Sequence, residues 1–304
     1  MALIRIDLAP DGQLPAPAAA RLRAALTAVP RGPVVALLHG FRFSPRSEAL
    51  SPHRHILALD PAPGDRRALS WPRALGFGQG RPDEGLAIAI GWEASGSLWR
   101  AWQAAGRAGT GLAQIAARLD GRPLDILAHS MGARVAFAGI AAAPAGSIGR
   151  VLLLAAAEFT ANAMRAVDSP AGRRAGFVNV TTRENDLFDA ALELALGASL
   201  WRGLGRGLPQ APRDWVDLDL DCAETRAGLA ALGFRIGAAR HRVCHWGPYL
   251  RPGVFALYRA ILRERAAISP AQLRAAAPPA TVRRFRGLIA ALPPRDEDAG
   301  PRMA

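Results

Sequence analysis

The chain has 304 residues, half of them hydrophobic, with 38 basic residues against 25 acidic ones and a formal net charge of +13. Every basic residue is arginine, and none of the arginines gather into a run of five or six. That dispersal argues against a nucleic-acid-binding or membrane-surface patch and fits the codon usage of a GC-rich genome. Length and composition suit one large α/β domain, or two modest ones, with a well-packed core. Cys222 and Cys244 show no metal-ligand spacing and read as two free thiols in a reducing compartment. The N-terminal residues lack the long apolar core of a signal peptide, and no segment approaches the length needed to span a bilayer. The expectation is a cytoplasmic protein without stable membrane insertion.

In chain order, Met1 to Leu8 alternates like a strand. Val34-Val35-Ala36-Leu37-Leu38 reads as a buried strand, as do His55 to Leu59 and Leu86 to Ile90. Pro61 to Gly85 has weak periodicity and reads as a mobile loop over a site. Its Gly76-Phe77-Gly78-Gln79-Gly80 run lacks the lysine and the strand-to-helix context of a phosphate loop. Leu98 to Leu119 has helical spacing, with a bend expected at Gly106, Gly109 and Gly111. Pro123 to Leu127 reads as a strand, Ala133 to Ala138 as a helix, and Arg150 to Leu154 and Phe177 to Thr181 as further strands. Leu187 to Leu200 reads as a helix, followed by a loop from Trp201 to Gly207. Trp215 to Leu220 alternates like an edge strand, and Gly253 to Arg265 reads as the last helix of the main domain. Short apolar runs alternating with helical stretches predict an α/β fold: a mostly parallel central sheet with helices on both faces. Residues 1–265 are assigned to this domain. Residues 266–304 form an Ala/Arg/Pro-rich extension, expected to be partly disordered after Pro293.

The most informative stretch is Leu127-Ala128-His129-Ser130-Met131-Gly132-Ala133-Arg134. A serine between small residues, where a strand turns into a helix, has its hydroxyl exposed for nucleophilic attack. The small neighbours leave room for a tight, strained turn, and the helix start aims backbone N–H groups at a developing oxyanion. A second turn, His39-Gly40-Phe41, follows the strand at 34–38. Together these residues resemble the α/β-hydrolase superfamily, whose G-x-S-x-G motif has Ala128 here in place of the first glycine. The resemblance covers roughly Val34 to Arg265. It implies Ser130 as nucleophile and the backbone N–H groups of Phe41 and Met131 as the oxyanion hole, with His39 structural.

The same resemblance implies the order serine, acid, histidine along the chain. Asp186, just past the strand at 177–181, is the preferred acid; its other reading is a helix N-cap. Glu184 and Glu158 are competitors. Of the histidines, His241 and His245 alone follow the acid. His245, in an aromatic loop ahead of the last helix, is the preferred base, whereas Arg240 and Arg242 mark His241 as a surface residue. The implied function is a serine hydrolase that cleaves a carboxylic ester or thioester of a small molecule through an acyl-serine intermediate. A catalytically silent α/β-hydrolase-fold binding protein and an acyltransferase stand as alternatives. No cofactor is expected, and no helix carries paired histidines or carboxylates at metal-ligand spacing. No separate cap domain is expected either. Trp71, Phe77, Trp99, Trp102, Trp201 and Trp246 are candidates to line an acyl pocket. Arg42 and Arg46 after the oxyanion turn are read as solvated. Substrate identity and oligomeric state stay open.

Overall fold

A run such as Val34–Leu38 has no polar face, so the strand it forms must be covered on both sides. The computed structural model, which describes residues 2–65, 67–196 and 202–277, builds its sheet from strands of this kind. They are β1 (Leu3–Asp7), β2 (Val34–Leu38), β3 (Leu86–Gly91), β4 (Leu124–His129), β5 (Ile148–Leu154), β6 (Gly176–Thr181) and β7 (Trp215–Asp219). All pair in parallel, in the order β1-β3-β2-β4-β5-β6-β7. The helices are α1 (Ala16–Ala28), α2 (Trp71–Ala74), α3 (Leu98–Ala116), α4 (Gly132–Ala142), α5 (Thr160–Val167), α6 (Asp186–Leu196), α7 (Ala223–Ala231), α8 (Gly247–Leu250), α9 (Val254–Leu262) and α10 (Pro270–Ala276).

Alternate strand residues feed two cores. Val34, Ala36 and Leu38 face one cluster with Leu22, Trp102, Leu112, Phe137 and Ala163, from α1, α3, α4 and α5. Val35 and Leu37 face the other, with Trp71, Leu229, Tyr249, Leu257 and Leu273, from α2, α7, α8, α9 and α10. The fold is therefore α/β with helices on both faces, and no large cap interrupts the alternation among the described residues. Ile268, Leu273 and Ala276 join the second cluster, so the start of the C-terminal extension packs on the main domain.

The chain runs outward from β2 to β3 and then restarts on the other side of β2 with β4. In a parallel sheet such a reversal opens a crevice at the carboxyl ends of the two strands that flank it. The register brings Leu38 beside Ala128, so the turns after β2 and β4 begin side by side. The sheet order thus decides where chemistry can be placed.

Some expectations are corrected. Residues 55–59 form no strand: a 3-10 turn at Pro52–Arg54 leads into further turns, although Ile56, Leu57 and Ala58 are buried. Those apolar side chains plug the second core from a loop, which periodicity alone cannot separate from a buried strand. The stretch from Pro61 to Gly85 is anchored: Trp71, Leu75 and Phe77 are fully buried, and Arg263 lies over Phe77 and donates to Leu75 O and Glu84 O. Trp71 and Phe77 are therefore core residues. Trp102 is buried against Phe159, and Arg67 covers the half-buried Trp246. Residues 197–200 of the predicted helix, Trp201 and the tail from 278 to 304 lie outside the described residues.

The glycines of α3 do not end it. A Cβ on Gly109 would sit 2.5 Å from Ala138 Cβ and 2.7 Å from Gly139 N, while one on Gly139 would meet Leu112. These glycines let α3 and α4 touch backbone to backbone, which fixes α4 and the turn that precedes it. Cys222 and Cys244 are both free thiols. Gly109→Val should force the helices apart and lower stability by about 1–3 kcal/mol, as overpacking of a close-packed interface does. Urea unfolding monitored by circular dichroism measures the loss.

Candidate active site

β4 ends at His129, and the next residue, Ser130, takes a left-handed backbone conformation with φ of 53°. A non-glycine residue pays for that conformation unless its surroundings fix it. Here Ser130 N–H donates to Leu154 O at 2.9 Å, and Ser130 O accepts from Ala133 and Ala157, both at 3.0 Å. The turn is thus tied to β5 on one side and to α4 on the other. Two glycines let the turn after β2 close on it. A Cβ on Gly132 would lie 2.6 Å from Leu38 O and 2.7 Å from His39 O. One on Gly40 would lie 2.8 Å from Ser130 Cβ and 3.3 Å from Ser130 Oγ.

His39 holds the first turn in shape. Its Nδ1 bonds Gly40 O at 2.9 Å, and its Nε2 accepts the Trp92 N–H at 3.2 Å. Trp92 Nε1 donates to His39 O, and the two rings stack 5.2 Å apart. A ring nitrogen accepting from a backbone N–H must be unprotonated, and burial pushes the His39 pKa down to about 3. Among the described residues, neither the Phe41 N–H nor the Met131 N–H donates a hydrogen bond within the protein.

His245 lies in the segment before α8. Its Nδ1 is 2.6 Å from Asn185 Oδ1, and its carbonyl accepts from His129 Nε2 at 3.0 Å. The rings of His129 and Phe188 each lie 4.7 Å from its own. The hydrogen bonds also fix its protonation. Asn185 Nδ2 donates to Asp189 Oδ1 at 2.8 Å, and an ionised carboxylate only accepts. The amide oxygen of Asn185 must then face His245, so Nδ1 carries the proton and Nε2 keeps its lone pair. Burial, and then the neighbouring His129 ring, hold the His245 pKa well below the usual histidine value. Among the described residues, Ser130 Oγ and His245 Nε2 each make no hydrogen bond.

Of the residues named from sequence, Phe41, Ser130 and Met131 fall on the paired turns at the β2 and β4 ends, and His245 is joined to the β4 end through His129. The position on His245 Nδ1 belongs to Asn185, one residue before Asp186. Asp186 opens α6 with its side chain exposed. The cause is the 3-10 turn at Arg183–Asn185, which rotates residue 185 inward; that tight turn leaves no signature in the sequence.

The two competing acids have other work. Glu184 is buried against Arg251 at 2.7 Å, and Arg251 also reaches Asp221 at 2.7 Å and Thr182 Oγ1. Glu184 O and Oε1 accept the N–H groups of Cys244 and His241, so this cluster pins the His245 segment to the end of β6. Glu158 is buried against Arg134 at 3.0 Å, and Arg134 in turn covers Trp102. A cavity of about 450 Å³ lies at the opposite, amino ends of β4 to β7, lined by Gly149, Arg150, Phe177 and Arg265 among others. Ser130 does not line it.

In comparisons with protein-family models, curated proteins and solved structures, nothing matches this chain.

Arg251→Met should destabilise the protein by about 3–5 kcal/mol, because it strands the buried Glu184 and the partly buried Asp221 without their cation; chemical denaturation reads this directly. A second prediction concerns His39 and His129, whose pKa values burial lowers to about 3 and about 4. Their ring signals in NMR should not titrate between pH 8 and pH 5. In the unfolded chain both protonate near the ordinary histidine value. Each therefore lowers stability as pH falls from that value toward its folded one.

Proposed function

We propose that this chain is a serine hydrolase of α/β-hydrolase type that cleaves small carboxylic esters or thioesters. The observation that carries the reading is the left-handed Ser130, held between β4 and α4 with Gly40 packed against its side chain. Strain of this kind at the carboxyl end of a parallel sheet is a recurrent property of nucleophiles. In this reading Ser130 Oγ attacks the substrate carbonyl carbon and its proton passes to His245 Nε2, the ring atom left with a lone pair. The Phe41 and Met131 N–H groups receive the oxyanion. The ester bond then breaks, His245 returns the proton to the departing alcohol or thiol, and an acyl-serine remains. Water repeats the sequence on that acyl group, releases the acid and restores Ser130.

Asn185 takes the part of the third residue. It fixes the imidazole tautomer as an aspartate would, but adds no negative charge next to the ring. A serine–histidine–asparagine arrangement has the geometry of its cysteine counterpart on unrelated folds. With the histidine held neutral by burial, the base stays active well into mildly acidic solution.

A fluorophosphonate probe should label the protein at Ser130 alone. Ser130→Ala should abolish labelling and reduce hydrolysis of p-nitrophenyl butyrate by roughly a thousandfold or more. Full activity in that variant, or labelling elsewhere, would sink the proposal.

A further inference from the structure

Asn185 is itself bonded, on the side away from His245, to a carboxylate. Its Nδ2 donates to Asp189 Oδ1 at 2.8 Å, four residues on and one turn along α6. The three groups form an unbroken line: Asp189 carboxylate, Asn185 amide, His245 imidazole. We propose that Asp189 is a positioning residue that acts on His245 through the Asn185 amide, so that the site retains a triad's negative charge one group further out. The proposal rests on the serine-hydrolase reading for its consequence in catalysis, and on geometry alone for its effect on His245.

The physical argument has three parts. First, Asp189 decides the orientation of Asn185: only with Nδ2 on the carboxylate does Oδ1 face Nδ1 of His245. A flipped amide would present N–H to the ring and place the imidazole proton on Nε2, where it would block acceptance from Ser130. Second, a carboxylate on one end of an amide polarises it and strengthens the acceptor at the other end. Third, the charge favours the imidazolium that forms when His245 takes the Ser130 proton. No proton leaves His245 Nδ1 and none reaches Asp189 in this scheme.

The surroundings support a defined place for the carboxylate. Asp189 Oδ2 lies against Gly205, in the space a Cβ at that position would occupy. The next turn of α6 carries Glu193, which accepts Gly203 N–H at 2.9 Å and pairs with Arg206 at 3.0 Å. Glu193 thus braces the turn around Leu204–Arg206 against α6. Among the described residues, the charged or titratable groups around His245 include His129 at the β4 end with Tyr249 against its ring, Cys244 next in the chain, Arg67 over Trp246, Asp186 at the start of α6, and the Glu184–Arg251 pair beneath the segment. The Asn185 amide is the group that bonds both Asp189 and the ring.

The test is Asp189→Asn, which preserves an acceptor for Asn185 and removes the charge. His245 is followed by NMR titration in the full-length protein, a readout that needs no turnover. The expected result is a fall in the His245 pKa of one to two units, the size for a charge about 7 Å away at an effective dielectric of about 20. The acidic limb of kcat/KM against pH should move the same way, with kcat lowered about tenfold and KM little changed. Glu193→Gln, which alters the same helix and turn but not the line to His245, should leave the titration where it was. An unshifted titration in Asp189→Asn would overturn the proposal and leave Asp189 a brace for the 203–206 turn. Should that variant not fold, Gly205→Ala, which displaces the carboxylate while keeping its charge, is read by the same titration. Failure of the hydrolase reading would appear separately, as a Ser130 that no probe labels.

Discussion

Two turns share one small space at the carboxyl ends of β2 and β4, and the candidate site is a consequence of that crowding. Gly132 leaves room for the carbonyls of Leu38 and His39, and Gly40 leaves room for the side chain of Ser130. With both glycines in place, the chain passes from β4 into α4 with Ser130 in left-handed space. The strain is local, but its support is distributed. β5 and the residues after it hold the serine backbone, α3 holds α4 through facing glycines, and Trp92 holds the histidine that shapes the turn after β2. The order of strands in the sheet, the placement of small residues and the geometry of one serine are thus a single constraint seen at three scales.

Among the described residues, no charged side chain bonds the His245 ring directly. His39, His129 and His245 are all depressed by burial, and the group on His245 Nδ1 is an amide. Several charges near the site face opposite charges, Arg251 between Glu184 and Asp221, and Arg134 with Glu158. A low-polarity environment of this kind strengthens any dipole aimed at a reacting group, while it penalises any charge left without a partner. The ion pairs act on the segments that carry the histidine and the serine rather than on the reaction itself.

Much of this was legible from residue order. Strands with two apolar faces, such as 34–38 and 86–90, and the alternating edge strand at 215–220, follow from period and side-chain type. The serine turn was legible because a strand, small residues and a helix occur in immediate succession, and the His245 segment stood out by its position and its aromatic neighbours. The asparagine was not, because a 3-10 turn and an α-helical start differ by a single residue of rotation, and both begin with the same polar residues. Residues 55–59 were read as a strand since a loop that plugs a core and a buried strand share the same apolar composition. The glycines of α3 suggested a bend because their role depends on a second helix far along the chain. Nor does Arg251 advertise two carboxylate partners, the buried one 67 residues away.

The two border strands of the sheet have a consequence of a different kind. β1 presents Arg5 between the buried Ile4 and Ile6 and Asp7 after them, and β7 presents Asp217 and Asp219 in alternation with buried apolar residues. An open parallel sheet carries unpaired backbone groups along each border, a ready template for strand addition by another chain. Charges spaced every second residue make such an addition costly, since an incoming strand would have to take water from Arg5 or disturb the bonds that Asp7 makes to His53 and Asp217 makes to Asn179. Edge-to-edge pairing of copies is thereby disfavoured along both described margins of the sheet.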